Sequence, residues 1–356
     1  MSAWSWITYY AQAFAHSGLP IVPLSKAPHW SPDELGDQSG RVILVTGGNS
    51  GTGYQTAREY YAHGATVYIG CRSAERAAEA IDNIKRGGDV DIYGEWSYAP
   101  VDAARAGSVQ FLELDLADLD SVGRAAAEFV GKEKRLDVLF ANAGVMASPV
   151  GLSTKQGYAL QFGTNVLGHQ RFIAELLPLL RATSRANPAN PARLISLSSL
   201  GHMFAPKGGI DYNSVTADGK QLDTWSEYGL SKWGNVALAK WVDSHYGPRA
   251  GAGADGKGGE VIAISIHPGT VATNLSRHIV DNKSKLYNYA VPWMSVRASK
   301  GTLNQLWAAG VDVETARKLS GNYVACFQTQ SPYRPDLDNV ESIEKLWEYC
   351  TAQWKK

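Results

Sequence analysis

The stretch Val42-Ile43-Leu44-Val45-Thr46-Gly47-Gly48-Asn49-Ser50-Gly51-Thr52-Gly53 runs from four apolar residues into a turn with four glycines. A short continuous apolar run is what a strand buried on both faces looks like, and the residues after Gly53 take up a helical pattern. The same alternation continues downstream. Apolar runs at Thr66 to Gly70, Phe111 to Leu116, Val138 to Ala141, Leu194 to Leu197, Val261 to Ile266 and Tyr323 to Ala325 read as strands. Between them lie helical patterns after Ser73, from Asp118, from about Gln156 and from Tyr228 to Tyr246. Strand and helix in alternation predict an α/β fold with a doubly wound, mostly parallel sheet. Right-handed crossovers then place a ligand at the carboxyl ends of the strands.

The sheet is expected to be Rossmann-type, in a single domain over residues 41–330 with an extension at each end. Residues 1–40 carry Trp4, Trp6, Tyr9, Tyr10 and Phe14, then Pro20, Pro23, Pro28 and Pro32, which cannot continue a helix. Residues 331–356 read as a C-terminal helical tail. Residues 88–108 are longer than an ordinary helix-to-strand connection and read as an inserted loop, and the glycine-rich residues 250–259 as a flexible one. Residues 270–300, with Tyr287, Tyr289, Trp293 and Met294, follow a strand where a lid over a substrate would sit.

The chain has 356 residues, 44% of them hydrophobic, with 34 Lys and Arg against 34 Asp and Glu. That balance argues against a nucleic-acid surface or a polybasic membrane patch. No apolar run approaches the roughly 18 residues of a spanning helix. The first arginine is Arg41, so an Arg-rich import peptide is not expected. The cysteines, Cys71, Cys326 and Cys350, form no C-x-x-C pair and suggest neither a disulfide framework nor a metal site. A cytoplasmic protein is expected, with peripheral membrane contact through the aromatic N-terminal segment as the alternative.

The glycine turn supplies the first chemical reading. Thr46, Gly47, Asn49, Ser50, Gly51, Thr52 and Gly53 lead into the amino end of a helix, where N–H groups and the helix dipole favour a pyrophosphate. The spacing is G-x-x-x-G-x-G rather than G-x-G-x-x-G. The second strand ends at Cys71-Arg72, with no carboxylate to hold both ribose hydroxyls of NAD, whereas an arginine can pair with the 2′-phosphate of NADP. NADP(H) is therefore favoured and NAD(H) is the alternative. Asp115, followed by Leu116, can accept from the adenine amino group or cap the next helix. Tyr228 and Lys232, four apart, share a helix face. An ammonium near a phenol of ordinary pKa about 10 is expected to lower it by roughly 1–3 units. Ser198-Ser199 closes the neighbouring strand and offers a hydroxyl to a substrate oxygen.

Together these residues resemble the short-chain dehydrogenase/reductase family. Thr46 to Gly53 matches its TGxxxGxG, Ala141-Asn142-Ala143-Gly144 its N-N-A-G, Ser199 its catalytic serine, and Tyr228-x-x-x-Lys232 its Y-x-x-x-K. Pro268-Gly269-Thr270-Val271-Ala272-Thr273 matches its PGxVxT. Cys71-Arg72, Thr164-Asn165-Val166-Leu167-Gly168-His169 and Ser198-Ser199-Leu200-Gly201-His202 resemble the retinol-dehydrogenase-like branch and its fungal relatives. The resemblance implies that Tyr228 protonates a carbonyl oxygen held by Ser199, and that Lys232 binds the nicotinamide ribose. It implies that Asn165 holds a water leading to Lys232. Asn142, Ala143 and Gly144 would line the cofactor, and Val271 and Thr273, in the loop with Pro268 and Gly269, would fix the carboxamide. Thr52 stands where the family usually has isoleucine or leucine, and Ala141 where it has the first asparagine. His169 and His202 are read as structural rather than substrate-touching.

The reading is an NADP(H)-dependent oxidoreductase acting on a small-molecule carbonyl or alcohol, reducing a hydrophobic ketone or aldehyde in secondary metabolism or detoxification. The chain would work as a homodimer or a monomer. The alternatives are an NAD-dependent alcohol dehydrogenase of the retinol or sterol type and a non-catalytic dinucleotide sensor.

Overall fold

A computed structural model describes residues 30–87, 101–251, 256–269, 271, 298–325 and 329–355. The aromatic residues before Pro20, most of the 88–108 insertion, Thr273, the aromatic group at 287–294 and Cys326 lie outside the described residues.

The strands are β1 (Val42–Thr46), β2 (Thr66–Cys71), β3 (Ser108–Glu113), β4 (Val138–Ala141), β5 (Ala192–Leu197), β6 (Val261–Ile266), β7 (Tyr323–Ala325) and β8 (Thr329–Gln330). They form one sheet in the order β3-β2-β1-β4-β5-β6-β7-β8. All pairings are parallel except β7 with β8, which is antiparallel. Every residue of β1, β4, β5 and β6 is buried, which is why these strands read as continuous apolar runs. β3 starts at Ser108 and ends at Glu113, earlier than the expected Phe111 to Leu116. As an edge strand it alternates exposed with buried residues, so Ser108 and Gln110 interrupt the apolar signal.

The helices are α1 (Gly51–Ala62), α2 (Ala74–Arg86) and α3 (Leu119–Lys132). α4 is composite: a turn Leu160–Phe162, a π-helical segment Gly163–Gly168 and an α-helical part His169–Ala186. α5 (Thr224–Tyr246), α6 (Ala298–Gly310), α7 (Val313–Leu319) and α8 (Val340–Trp354) follow. Strand residues alternate between two cores. Leu44, Tyr68 and Leu139 face the layer of α3, α4, α5 and α8, while Ile43, Val67 and Ile69 face α1, α2, α6 and α7. The sheet reverses direction of winding between β1 and β4, whose carboxyl ends, Thr46 and Ala141, therefore flank the expected ligand crevice.

Both extensions join these cores where they are described. Trp30 and Leu35 pack with the α1 and α6 layer, and Ile343, Leu346, Trp347 and Cys350 of α8 with the other. Trp347 stacks on Trp241 of α5 at 3.6 Å and 3°, and Glu344 accepts from the Trp241 indole at 2.8 Å. α8 is thus the outer cover of α5. Among the described residues no helix is long and apolar enough to cross a membrane. Truncating a packed, mostly buried indole leaves a cavity, so Trp347→Ala is expected to destabilise the chain by about 3 kcal/mol. Urea unfolding followed by fluorescence checks this.

Candidate active site

β1 ends in a hydroxyl that joins three elements. Thr46 Oγ1 accepts the amide hydrogens of Asn142 and Ala143, each at 2.9 Å. It also lies 3.0 Å from Nε2 of His169. The other ring nitrogen, Nδ1, is 3.0 Å from the Asn165 carbonyl, which can only accept. Nδ1 therefore carries the proton and Nε2 accepts from the Thr46 hydroxyl. Complete burial pushes the His169 pKa down to about 4, which keeps the ring neutral. His169 is structural, as expected.

The glycine turn is closed by a polar clasp. The Asn142 amide nitrogen donates to the Thr46 carbonyl at 2.8 Å, and the Thr52 hydroxyl donates to Asn142 Oδ1 at 2.9 Å. The departure at Thr52 thus replaces an apolar contact with a hydrogen bond. The Thr52 carbonyl is held in turn by Thr302 at 3.2 Å and Gln305 at 3.1 Å, both on α6. At Gly53 a Cβ would fall 2.5 Å from Asn142 Nδ2 and from the Gly47 carbonyl, so only glycine fits. Ser50, the α1 N-cap residue, makes no side-chain bond to the helix, and the first turn carries no acidic residue. The first-turn N–H groups, which have no acceptor inside the helix, suit an anionic pyrophosphate.

At the end of β2, Arg72 is exposed and pairs with no carboxylate among the described residues. The buried Cys71 thiol donates to the Ser73 carbonyl at 3.7 Å, and Ser73 caps α2. Asp115 accepts from Ala117 N at 2.9 Å, whereas the α3 cap is Asp118, accepting from Asp120 N at 3.0 Å. The Asp115 carboxylate is therefore not the helix cap. The Leu116 side chain belongs to the core.

Asn165, Ser199, Tyr228 and Lys232 come together beyond the ends of β4 and β5. Asn165 lies in the π segment, a local widening that re-aims side chains. Its Oδ1 accepts from Val145 N at 2.8 Å, and its Nδ2 donates to Val145 O and Ser231 Oγ, each at 2.9 Å. Both amide hydrogens and the main-chain carbonyl, which also accepts from Asn235 at 2.7 Å, are thus engaged within the protein. The two serines divide their work. Ser198 donates to the Lys232 carbonyl at 2.7 Å and ties β5 to α5. Ser199 accepts from Gly201 N at 3.0 Å and is hydrogen-bonded to Tyr228.

Tyr228 and Lys232 are each only 4% exposed. Burial drives the Tyr228 phenol up to about 12, opposed only by the bond with Ser199. Burial lowers Lys232 to about 8. Its Nζ is 5.9 Å from the Tyr228 ring centre and donates to the Leu197 carbonyl at 2.9 Å. The expected downward pull of the ammonium on the phenol is corrected: desolvation dominates both groups. At Gly144 a Cβ would stand 3.1 Å from Asn165 Oδ1 and 3.5 Å from Lys232 Nζ, so the backbone here borders the ammonium directly.

Pro268 and Gly269 follow β6, and Val271 packs against Gly301, whose added Cβ would lie 2.5 Å from Val271 Cγ2. Sequence reasoning missed Thr302 and Gln305. They belong to no motif and reach Thr52 only through the packing of α6 on α1.

A glycine-rich turn at a sheet crossover beside a Ser-Tyr-Lys group whose phenol and ammonium are buried defines a dinucleotide-dependent oxidoreductase. The family model for short chain dehydrogenases matches residues 41–284. A short-chain dehydrogenase/reductase of Armillaria gallica is 38% identical over 332 residues, covering 92% of this chain and 94% of that one. Human retinol dehydrogenase 13 is 30% identical over 311 residues, 86% of this chain and 82% of its own. A solved structure from Mycobacterium paratuberculosis shares 27% identity and superposes with a TM-score of 0.63, covering 91% of this chain and 97% of that one. The chain belongs to the short-chain dehydrogenase/reductase family, in its retinol-dehydrogenase-like branch.

His202, like His169, is fully buried with its pKa pushed down to about 4. Unfolded histidines take up protons near pH 6.5 that the folded ones refuse. Stability is therefore full above pH 6.5 and is lost as pH falls toward 4, by at most about 1.4 kcal/mol per pH unit for each histidine. Urea midpoints measured from pH 7 to 4 should fall accordingly. A variant carrying His169→Gln should lose about half of that slope.

Proposed function

We propose that the chain is an NADP(H)-dependent reductase of a hydrophobic ketone or aldehyde, with Tyr228 as the proton donor. The observation that carries this is the half-buried Ser199 hydrogen-bonded to the buried Tyr228, with the buried Lys232 one helical turn further along α5. A phenol with a high pKa is protonated at neutral pH and can give its proton to an oxygen that is gaining charge. Ser199 accepts from Gly201 N and is hydrogen-bonded to Tyr228, so its hydroxyl would turn from the phenol to the substrate oxygen to donate there. Lys232 is the nearby cation that can stabilise the phenolate left behind, and it stands where a ribose would meet Gly144. NADP(H), when bound, supplies the hydride. Thr46 to Gly53 would hold its pyrophosphate and Arg72 its 2′-phosphate. Asn142, Ala143 and Gly144 would line the cofactor beside the central strand, and Val271 and Thr273, in the loop with Pro268 and Gly269, would fix the nicotinamide carboxamide. Asp115 and Leu116 would border the adenine. A cytoplasmic location and a place in secondary metabolism belong to the same proposal.

General acid catalysis is worth about 10²–10⁴-fold. Tyr228→Phe is therefore expected to lower kcat at least about 100-fold on a panel of aromatic and aliphatic carbonyls with NADPH. Turnover equal to wild type would remove Tyr228 from the role. Loss of a charge-assisted bond of about 1.5–3 kcal/mol makes Arg72→Glu weaken NADPH binding roughly 10- to 100-fold, with NADH binding unaffected. Fluorescence titration reads both affinities, and equal effects on the two would count against the 2′-phosphate contact.

A further inference from the structure

Ser199 is followed by a 3-10 turn, Leu200–Phe204, which lies tightly against α5. A Cβ at Gly201 would stand 2.7 Å from Tyr228 Cε1, and one at Gly229 would stand 2.5 Å from Ala205 N. Within the turn His202 Nδ1 donates to the Ser199 carbonyl at 2.6 Å. The His202 ring meets Tyr323 edge-on at 4.8 Å, and its buried Nε2 makes no hydrogen bond. The C-terminal segment adds a further hold on where this turn lies along α5.

Arg334 is 2% exposed, and its guanidinium donates to the carbonyls of Ala205 and, at 3.0 Å, Pro206, the two residues that follow the turn. The same guanidinium forms a two-pronged ion pair with Asp336. Asp336 also accepts from the indole nitrogen of Trp233 at 3.0 Å. Trp233 is 1% exposed and is the residue after Lys232. One ion pair, its arginine buried and its carboxylate half-buried, therefore grips the end of the serine-bearing turn on one side and the tyrosine- and lysine-bearing helix on the other. Leu337, fully buried beside it, and the Lys240 to Asp338 pair at 3.1 Å anchor the segment to α5.

We propose that Arg334 and Asp336 are positioning residues of the active site, setting the placement of Ser199 against Tyr228 and Lys232 and reinforcing the direct bonds from Ser198 to the Lys232 carbonyl and from Lys232 Nζ to the Leu197 carbonyl. The inference rests on the catalytic roles given above to Ser199 and Tyr228. Arginine suits the task because its planar fork can satisfy two carbonyls and a carboxylate at once, which an ammonium cannot do in the same geometry.

The test compares full-length wild type with Arg334→Met, Arg334→Lys, Asp336→Asn and Tyr228→Phe, using NADPH with benzil and cinnamaldehyde. A misplacement of about 1 Å can lower a rate about 100-fold. Arg334→Met is expected to lower kcat roughly 10- to 100-fold, with KM and NADPH affinity within about two-fold of wild type, and Arg334→Lys to recover part of the loss. The second readout needs no turnover. NMR of isotope-labelled tyrosine identifies the Tyr228 signal as the one missing in Tyr228→Phe, and that signal should be displaced in Arg334→Met. A lower melting temperature with kcat per folded molecule and the Tyr228 signal unchanged would overturn the proposal. If Arg334→Met fails to fold, Asp336→Asn decides: it keeps an acceptor for Trp233 while removing the charge facing Arg334, and the same signal should move. If Tyr228→Phe turns over like wild type, the catalytic reading fails, while the NMR signal still judges the brace.

Discussion

The hydroxyl of Thr46 is a small group on which the site's geometry depends. It accepts two amide hydrogens from Asn142 and Ala143 at the end of β4 and donates its own to His169 on α4. β1, β4 and α4 meet there, at the point where the sheet changes its direction of winding. Each partner goes on to build a different part of the site. Asn142 clasps the glycine turn through Thr52, His169 holds the Asn165 carbonyl, and the backbone beyond Ala143 passes over Asn165 and Lys232 at Gly144. A dinucleotide lying across the crossover would therefore meet a pyrophosphate end and a catalytic end registered against one another through one side chain.

Burial supplies the electrostatics. α5 is enclosed by the sheet, by α4 and by α8, so Tyr228 and Lys232 both sit in surroundings that disfavour charge. The phenol is raised to about 12 and the ammonium lowered to about 8. A neutral, protonated phenol is the form that a carbonyl reductase needs at rest, and the weakened preference of Lys232 for its proton makes it responsive to any negative charge placed beside it. α8 covers a more distant part of the same helix, where Trp347 stacks on Trp241.

The fold was legible because most of its strands are buried on both faces and so appear as unbroken apolar runs. β4 and β6 begin and end where the residues change character. The edge strand β3 was misplaced because half of its residues face solvent. Helix starts were readable where a short polar side chain caps them, as at Ser73 and Asp118. The π segment carrying Asn165 leaves no mark in composition, and Asn165 was found by motif alone. Ser199, Tyr228 and Lys232, the candidate catalytic group, follow from local spacing, but the pKa shifts of Tyr228 and Lys232 do not, since desolvation depends on everything packed around them. Thr302, Gln305, Arg334 and Asp336 were silent because each acts through contacts between residues distant in sequence, and a lone arginine near the C-terminus looks like any solvated one.

The most direct test is a thermal-shift titration of the purified protein with NADPH, NADP, NADH and NAD in separate series. A ligand at 100 times its dissociation constant stabilises the folded state by about 2.7 kcal/mol, enough to move a melting transition clearly. The glycine turn with Arg72 at the end of β2 predicts stabilisation by the two phosphorylated dinucleotides at concentrations where the other two have little effect. Stabilisation by NADH and NAD alone, or by none of the four, would contradict it.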